Sequence, residues 1–327
     1  MKYLSIIGTR PQYVKVLDNL KNHVVCDTRQ HYDNQMSEVF LKQLKIKPKY
    51  NLNTTELGEM IGGCGKVIRS ENPDCVIVYG DTRSTLAGAL AAKFEGKMVA
   101  HVESGMRSYD MKQPEEIVRV IVDRISDYKF CANKFARQNL IKEGILNNVF
   151  VVGDPMWDSL NKVLPIPKSK DFEKYNVLTI HRQQNDNDEF FKEVFYAIEE
   201  FGEPFVFPAH PRILKRLKGL KVPKNIKIIK PLGYKEMISL TTNCKKVVTD
   251  SGGLQREAYW FSKPCVILRW ETEWNEIVED GWGTLVGGQK ELILKALKDF
   301  NPTLSTNKPK FWPEYGCKER IKELLAG

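Results

Sequence analysis

"CVIVYGDTRSTLAGALAAKFEGKMVAHVES", residues 75–104, opens and closes on short apolar runs, CVIVYGD and MVAHVES, with a helix-length stretch between them. Each run is nearly continuous in its hydrophobicity rather than alternating, as in a strand buried on both faces. Strand, helix-spaced segment and second buried strand together predict a parallel βαβ unit. The alternation extends in both directions. Upstream lie YLSIIGT (3–9) and VVCDT (24–28), and downstream YKFCAN (128–133) and VFVVGD (149–154). Helical spacing separates them. In PEEIVRVIVDRISD (114–127), Ile117, Val120, Ile121 and Ile125 are expected on one apolar face, with Pro114 in the first turn.

A proline- and lysine-rich break, LPIPKSKDFEKY (164–175), reads as a linker, after which the pattern restarts. The second series is NVLTIH (176–181), PFVFPAH (204–210), IKIIK (226–230), KVVTDSG (246–252), PCVILRW (264–270) and TLVGG (284–288). The expected fold class is therefore α/β: two doubly wound parallel sheets facing one another across a cleft. The expected domains are 1–165 and 166–311, with a last helix within 312–327 returning to the first. A length of 327 residues suits two domains of about 150 residues.

With 42% hydrophobic residues and charges of both signs throughout, the chain reads as a globular protein. No apolar run approaches the roughly 18–20 residues of a membrane helix. The opening MKYLSIIGTRP does not resemble a signal peptide, so a cytosolic protein without membrane partners is expected. Seven dispersed cysteines without a C-x-x-C pair read as buried, reduced thiols. The formal charge of +9 reads either as solvated faces or as attraction for an anionic small substrate. Nucleic acid is not expected, because no reader motif accompanies the charge.

Ligands of open α/β sheets bind beyond the carboxyl ends of the strands. Polar residues collect there: Gly8-Thr9-Arg10, Gly80-Asp81-Thr82 and His101-Val102-Glu103 in the first half. His181-Arg182, His210-Pro211, Asp250-Ser251-Gly252-Gly253 and Arg269 to Glu273 follow in the second. Of five histidines, all but His23 stand at or just past such an end. GTRPQ lacks the G-x-G-x-x-G of dinucleotide sites, and no G-x-x-x-x-G-K-[ST] loop occurs, which disfavours redox or ATP-driven chemistry. TDSGGLQREA (249–258) suits anion binding at a helix N-terminus, with Ser251 and the following amides on a diphosphate and Glu257 on a ribose.

Ten motifs, GTRPQYVK, TRQHYDNQM, YGDTRSTLAGALAA, HVESGMRS, PEEIVR, VVGDPMWDSL, TIHRQQN, AHPR, TDSGGLQREA and KPCVILRWETEW, run in this order along nearly the whole chain. In that order and content the chain resembles the non-hydrolysing UDP-N-acetylglucosamine 2-epimerases. The resemblance implies two Rossmann-like domains of the glycosyltransferase-B type, a homodimer, a UDP-amino sugar as substrate, and inversion of C2 without a cofactor. Matched motif by motif, it implies Asp81, Glu103, Glu115 and His181 as the proton-transfer and leaving-group residues. Arg10 and Lys15 would act on the diphosphate or orient the acids. His210, Ser251, Gly252, Gly253 and Glu257 would bind UDP, with Arg269 and Glu273 also at the substrate site.

Alternatives remain beside this reading. Asp81, His101, Glu103 and Glu115 would serve as metal ligands if magnesium accompanied the diphosphate, although no metal is expected. His101 reads more simply as a packing or hydrogen-bonding residue, and Glu116 as a first-turn acid facing the helix dipole. His31 and Asp250 are second-line candidates. GTRPQ, Val118 in PEEIVR and HRQQN depart from the usual GTRPE, asparagine and HRREN of the N-acetylglucosamine enzymes. GTRPQ, RSYDMKQPEE and ETEWNE resemble relatives acting on modified sugars, including UDP-2,3-diacetamido uronic acids; a 6-deoxy amino sugar is a further option. A hydrolysing epimerase, a glycosyltransferase of the same fold and a silent nucleotide-sugar binder are the rival classes.

Overall fold

The computed structural model describes residues 1–30, 34–162, 164, 174–304, 309–311 and 313–326. The chain forms two compact units, Met1–Leu164 with Pro313–Gly327, and Pro165–Trp312.

The first unit runs β1 (Tyr3–Ile7), α1 (Arg10–Lys15), β2 (His23–Asp27), α2 (Asn34–Gln43), β3 (Tyr50–Asn51), α3 (Leu57–Glu71), β4 (Cys75–Tyr79) and α4 (Arg83–Phe94). It continues with β5 (Met98–Val102), α5 (Pro114–Ile125), β6 (Tyr128–Cys131), α6 (Lys134–Lys142), β7 (Val149–Val151) and α7 (Pro155–Asn161). The strands form one parallel sheet in the order β3-β2-β1-β4-β5-β6-β7. Every residue of β1 and β4 is buried, as their unbroken apolar runs require. Each apolar run stops where its polar tail begins, so Gly8-Thr9, Gly80-Asp81 and Glu103-Ser104 fall in loops at one end of the sheet. The two-residue edge strand β3 was not expected, since it lacks a hydrophobic run of its own.

The second unit runs β8 (Asn176–Thr179), α8 (Asp188–Phe201), β9 (Phe205–Pro208), α9 (Pro211–Leu217), β10 (Ile226–Ile229) and α10 (Tyr234–Asn243). Then follow β11 (Val247–Thr249), α11 (Gly252–Trp260), β12 (Cys265–Ile267), α12 (Asn275–Glu279), β13 (Gly283–Leu285) and α13 (Lys290–Asp299). Its parallel sheet has the order β10-β9-β8-β11-β12-β13. The last helix, α14 (Cys317–Ala326), is part of the first unit. Asp158 accepts the Gly316 and Lys318 amides at 2.8 Å, and Arg320 Nη2 donates to the Val152 carbonyl at 2.7 Å.

Strand order reverses direction once in each sheet, between β1 and β4 in the first unit and between β8 and β11 in the second. A loop from one strand of such a pair leaves toward one face and its neighbour's toward the other, opening a crevice at their carboxyl ends. Arg10 and Asp81 stand at the first reversal, His181 and Ser251 at the second.

The helix α5 corrects one expectation. Ile117 and Ile121 are exposed, Val120 is half-buried, and of the predicted stripe Ile125 packs against the core. The inward face instead carries Val118 and Val122 with three buried charged residues, Glu116, Arg119 and Asp123. These charges are turned inward because loop amides and partner side chains wait for them beneath the helix. Pro114 does begin the helix. All seven cysteines are free and buried, and burial pushes their thiols up. No helix among the described residues is long and apolar enough to cross a membrane.

Gly105, just past β5, has φ +79°, and a Cβ there would strike the backbone carbonyl of Ala136 at the start of α6. Gly96 also has a positive φ, +67°, yet a Cβ there meets nothing within 4 Å. Gly105→Ala is expected to lose at least about 2 kcal/mol, from backbone strain plus displacement of α6, and Gly96→Ala about 1 kcal/mol from strain alone. Urea unfolding of the two variants measures the difference.

Candidate active site

In the first unit, Asp81 and Glu103 follow the hydrogen-bonded strands β4 and β5. The Gly80 amide donates to the Val102 carbonyl at 2.9 Å, so the two turns are fastened side by side. Gly80 has φ +64°, and a Cβ there would lie 3.3 Å from Glu103 Oε2 and 3.5 Å from Lys15 Nζ. Glycine at 80 thus keeps room for the Glu103 carboxylate. Glu103 itself has φ +74°, an unfavourable conformation for a residue with a Cβ. Its amide and that of Ser104 both donate to the Phe130 carbonyl, at 2.9 and 3.0 Å, which holds the turn in place.

Each acid is held by a cation. Lys15, at the end of α1 and buried, donates to Glu103 Oε2. Arg119 in α5, 3% exposed, pairs with Asp81 and also with Glu116 at 2.8 Å. Glu116 is buried and accepts the Ser108 and Tyr109 amides at 2.9 Å each. It is the first-turn acid of α5 that was expected, and it also anchors the loop before the helix through these amides. Glu115, beside it, is half-buried. Arg10 begins α1, half-buried, with its guanidinium 5.8 Å from the centre of the Phe40 ring.

His101 is wholly buried, with Nδ1 2.7 Å from Asp123 Oδ1 and Nε2 2.7 Å from the Gly80 carbonyl oxygen. The hydrogen-bonding reading of this residue holds. Among the described residues no group of three His, Cys, Asp or Glu side chains is arranged to hold a metal ion. His31 lies outside the described residues.

In the second unit, His181 is half-exposed and Asp250 wholly buried. The Asp250 carboxylate accepts from His181 Nδ1 at 2.7 Å, from the His181 and Arg182 amides and from Asn185 Nδ2, all within 3.2 Å. Burial opposes its charge, but the His181 ring and these donors outweigh it and hold the carboxyl below its ordinary value. The ring of His181 is thereby fixed through Nδ1, and Nε2 is the nitrogen that Asp250 does not hold. Arg212 Nη2 donates to the His181 carbonyl at 2.8 Å, and the Arg212 amide donates to His210 Nδ1 at 3.3 Å, joining the two histidine turns.

Ser251 caps α11, its Oγ accepting the Leu254 amide at 3.4 Å and its hydroxyl hydrogen remaining to donate elsewhere. Gly252 and Gly253 open the helix, where backbone N–H groups lack intrahelical partners. A Cβ on Gly252 would collide with Glu273 Oε1 and lie 3.3 Å from Trp274 Nε1. Glu273 pairs in turn with buried Arg269 at 2.8 Å. Glu257 is buried, one turn into α11.

The interior partners Arg119, Gln12 and Asp123 escape a reading of the sequence, and Asp250 ranks too low in it. Gln12 is 1% exposed and spends its whole amide internally. Oε1 accepts the Gly8 and Thr9 amides at 2.8 and 3.1 Å, and Nε2 donates to the Tyr79 carbonyl and the Thr82 and Thr85 hydroxyls within 3.0 Å. A glutamate there would set a carboxylate against the Tyr79 carbonyl oxygen. Val118 is buried in the core. Two of the three motif departures are thus packing features of the interior.

Removing Arg119 leaves Asp81 and buried Glu116 without their shared cation. Arg119→Met is expected to cost about 3–5 kcal/mol, the range for breaking a buried ion pair. Arg216→Met, which removes surface pairs to Asp186 and Asp188, should stay within about 1 kcal/mol. Urea denaturation compares them.

The model of a family described as UDP-N-acetylglucosamine 2-epimerase matches residues 16–325. A UDP-N-acetylglucosamine 2-epimerase homolog of Methanococcus maripaludis is 42% identical, the alignment covering 99% of both chains. A UDP-2,3-diacetamido-2,3-dideoxy-D-glucuronate 2-epimerase of Pseudomonas aeruginosa is 38% identical over 100% of this chain and 99% of its own. Among solved structures, that of Methanocaldococcus jannaschii UDP-GlcNAc 2-epimerase in complex with UDP-GlcNAc and UDP superposes with a TM-score of 0.92 at 38% identity. That likeness covers 100% of this chain and 99% of the other. With model and relatives both spanning nearly its full length, the chain belongs to the UDP-N-acetylglucosamine 2-epimerase family.

Proposed function

We propose that this chain inverts C2 of a UDP-2-acetamido-2-deoxy sugar, UDP-GlcNAc to UDP-ManNAc or a modified analogue, without hydrolysis. What supports this within an epimerase family is the pairing of Asp81 and Glu103 on adjacent strand ends, each gripped by a cation from another helix. A binding module needs no such acids.

The chemistry sets the requirements. The C2 hydrogen is not next to a carbonyl, so its direct removal is slow. Breaking the bond from C1 to the diphosphate oxygen sends that electron pair out with UDP and gives C1 cationic character. The C2 proton is then acid enough for a carboxylate to take, leaving a 2-acetamidoglycal. In the return step a second group delivers a proton to the opposite face of C2, and the UDP oxygen re-forms its bond to C1. Asp81, Glu103, Glu115 and His181 are the groups proposed to move protons and assist the leaving group. Lys15, already on Glu103, orients that acid, while Arg10 acts on the diphosphate. In the second unit Ser251 with the Gly252 and Gly253 amides takes the diphosphate, where the α11 dipole favours negative charge. Glu257 takes the ribose, and His210, Arg269 and Glu273 complete the substrate contacts.

A second substrate has specific support. The diacetamido-glucuronate relative from Pseudomonas aeruginosa matches over the full length, and the RSYDMKQPEE and ETEWNE segments resemble that branch. The same reaction on a UDP-2,3-diacetamido uronic acid is the alternative to UDP-GlcNAc.

A panel of both UDP-sugars in heavy water tests the reading. Deuterium at C2 of an intact, inverted UDP-sugar is expected, and Glu103→Gln and Asp81→Asn should each lower kcat by about 100-fold or more. Net release of UDP, transfer of the sugar, or unlabelled C2 defeats it. The better substrate of the panel decides between the two sugars.

The reading carries with it a homodimer, as is implied by the family resemblance. Light scattering of the purified chain should return twice the 37.6 kDa chain mass, and a single-chain mass removes the dimer.

A further inference from the structure

His101 sits where both of its ring nitrogens face oxygens that have no proton to offer. The Gly80 carbonyl, 2.7 Å from Nε2, accepts only. Asp123 Oδ1, 2.7 Å from Nδ1, belongs to a carboxylate whose other oxygen takes the Gly105 amide at 3.0 Å and Arg107 Nη1 at 2.7 Å. Arg107 and the Gly105 amide thus bind Asp123 as a carboxylate, whatever the state of the His101 ring. A proton on Asp123 would forfeit this pairing. A neutral imidazole has one donor and one acceptor nitrogen, so it would set a lone pair against an oxygen lone pair inside a site 0% exposed.

The surrounding charges agree. Arg107 is 1% exposed and also grips Glu143 of α6 through Nε and Nη2, at 2.7 and 2.8 Å. The charged group in contact with the His101 ring is the Asp123 carboxylate, an anion, which favours a protonated imidazole. From β6 the Asp123 carboxylate is approached by Lys129 and by the Cys131 thiol, which burial keeps protonated. Beyond Gly80 stands the Lys15–Glu103 pair, already self-compensated.

We propose that His101 is a positioning residue held as a buried imidazolium, clamping the Gly80 carbonyl so that the Gly80–Asp81 turn is fixed beside Glu103. Gly80 is thus tied at both ends of its residue, its amide to Val102 and its carbonyl to His101. The catalytic consequence rests on the epimerase reading; the protonation state does not.

The test uses full-length protein labelled with nitrogen-15 at histidine, with His101→Gln to assign the signal. At about pH 8, where an ordinary histidine is neutral, one ligand-free histidine should show both ring nitrogens protonated, and His101→Gln should lack that signal. Folded His101→Gln should lose about 10- to 100-fold in kcat with KM little changed, the size expected for a displaced catalytic group. Should His101→Gln not fold, Asp123→Asn keeps an acceptor but drops the charge, and His101 should then lose one ring proton at the same pH. A neutral His101 ring in the wild type, an unmoved ring in Asp123→Asn, or wild-type kcat in folded His101→Gln overturns the proposal. If the wild type turns over no UDP-2-acetamido sugar, the functional reading fails while the ring signal still decides the imidazolium.

Discussion

A carboxylate placed at the end of a strand buried on both faces has to be given its counter-charge by another part of the chain. Leaving such a charge unpaired in a low-dielectric interior costs several kcal/mol, so each acid dictates where a cation or a set of amides must come from. Lys15 comes to Glu103 from α1, Arg119 to Asp81 and Glu116 from α5, and Arg107 with His101 to Asp123. The Lys15–Glu103, Arg119–Asp81 and His101–Asp123 pairings each fasten a strand or its end to a helix distant in sequence. The strained turn at Glu103, φ +74°, persists inside this lattice because β6 accepts two of its amides at the Phe130 carbonyl.

The two units apply one placement rule with opposite charge arrangements. Both put polar residues at the single point where strand order reverses. In the first, Asp81 is part-exposed and Glu103 buried, and each is held by a buried cation. In the second, the acid is the hidden member: Asp250 is wholly buried and its histidine half-exposed. Asp250 receives two backbone amides, an asparagine amide and an imidazole, so it orders the 181–185 turn while aiming one ring. A buried carboxylate behind an exposed histidine fixes the orientation of the ring. Asp81 and Glu103 are instead each paired with a buried cation from another helix.

The sheets were legible because strands buried on both faces appear as unbroken apolar runs, and their polar tails mark the loops where the candidate residues stand. The edge strand β3 was illegible for the same reason, as two residues make no run. The α5 face was misread because amphipathicity assigns charge to the outside, whereas Glu116, Arg119 and Asp123 point inward. Their spacing of three and four residues is itself helical, so an acid-base-acid series on one face was the available signal. Partners separated by long stretches of chain left none: nothing local to Arg119 names Asp81, 38 residues away. Asp250 was visible as a strand-end acid, but its service to His181 depends on β8 lying beside β11.

Burial also decides which departures from the family pattern bear on the substrate. Gln12 has every polar atom of its amide committed within the fold, and Val118 is core. Neither side chain meets a ligand without first breaking those contacts, so these two positions record how this chain packs its first unit. Side chains that still present surface are of a different kind. Tyr109 and Met111, on the loop between Glu103 and Glu115, are 64% and 56% exposed, and Trp270 beside Arg269 is 62% exposed. Gly287 has no room for a Cβ because the Trp270 ring occupies that space, so the indole is braced on one side and open on the other. Discrimination between sugars requires contacts that one substrate satisfies and another does not. Tyr109, Met111 and Trp270 keep exposed surface, whereas Gln12 and Val118 do not.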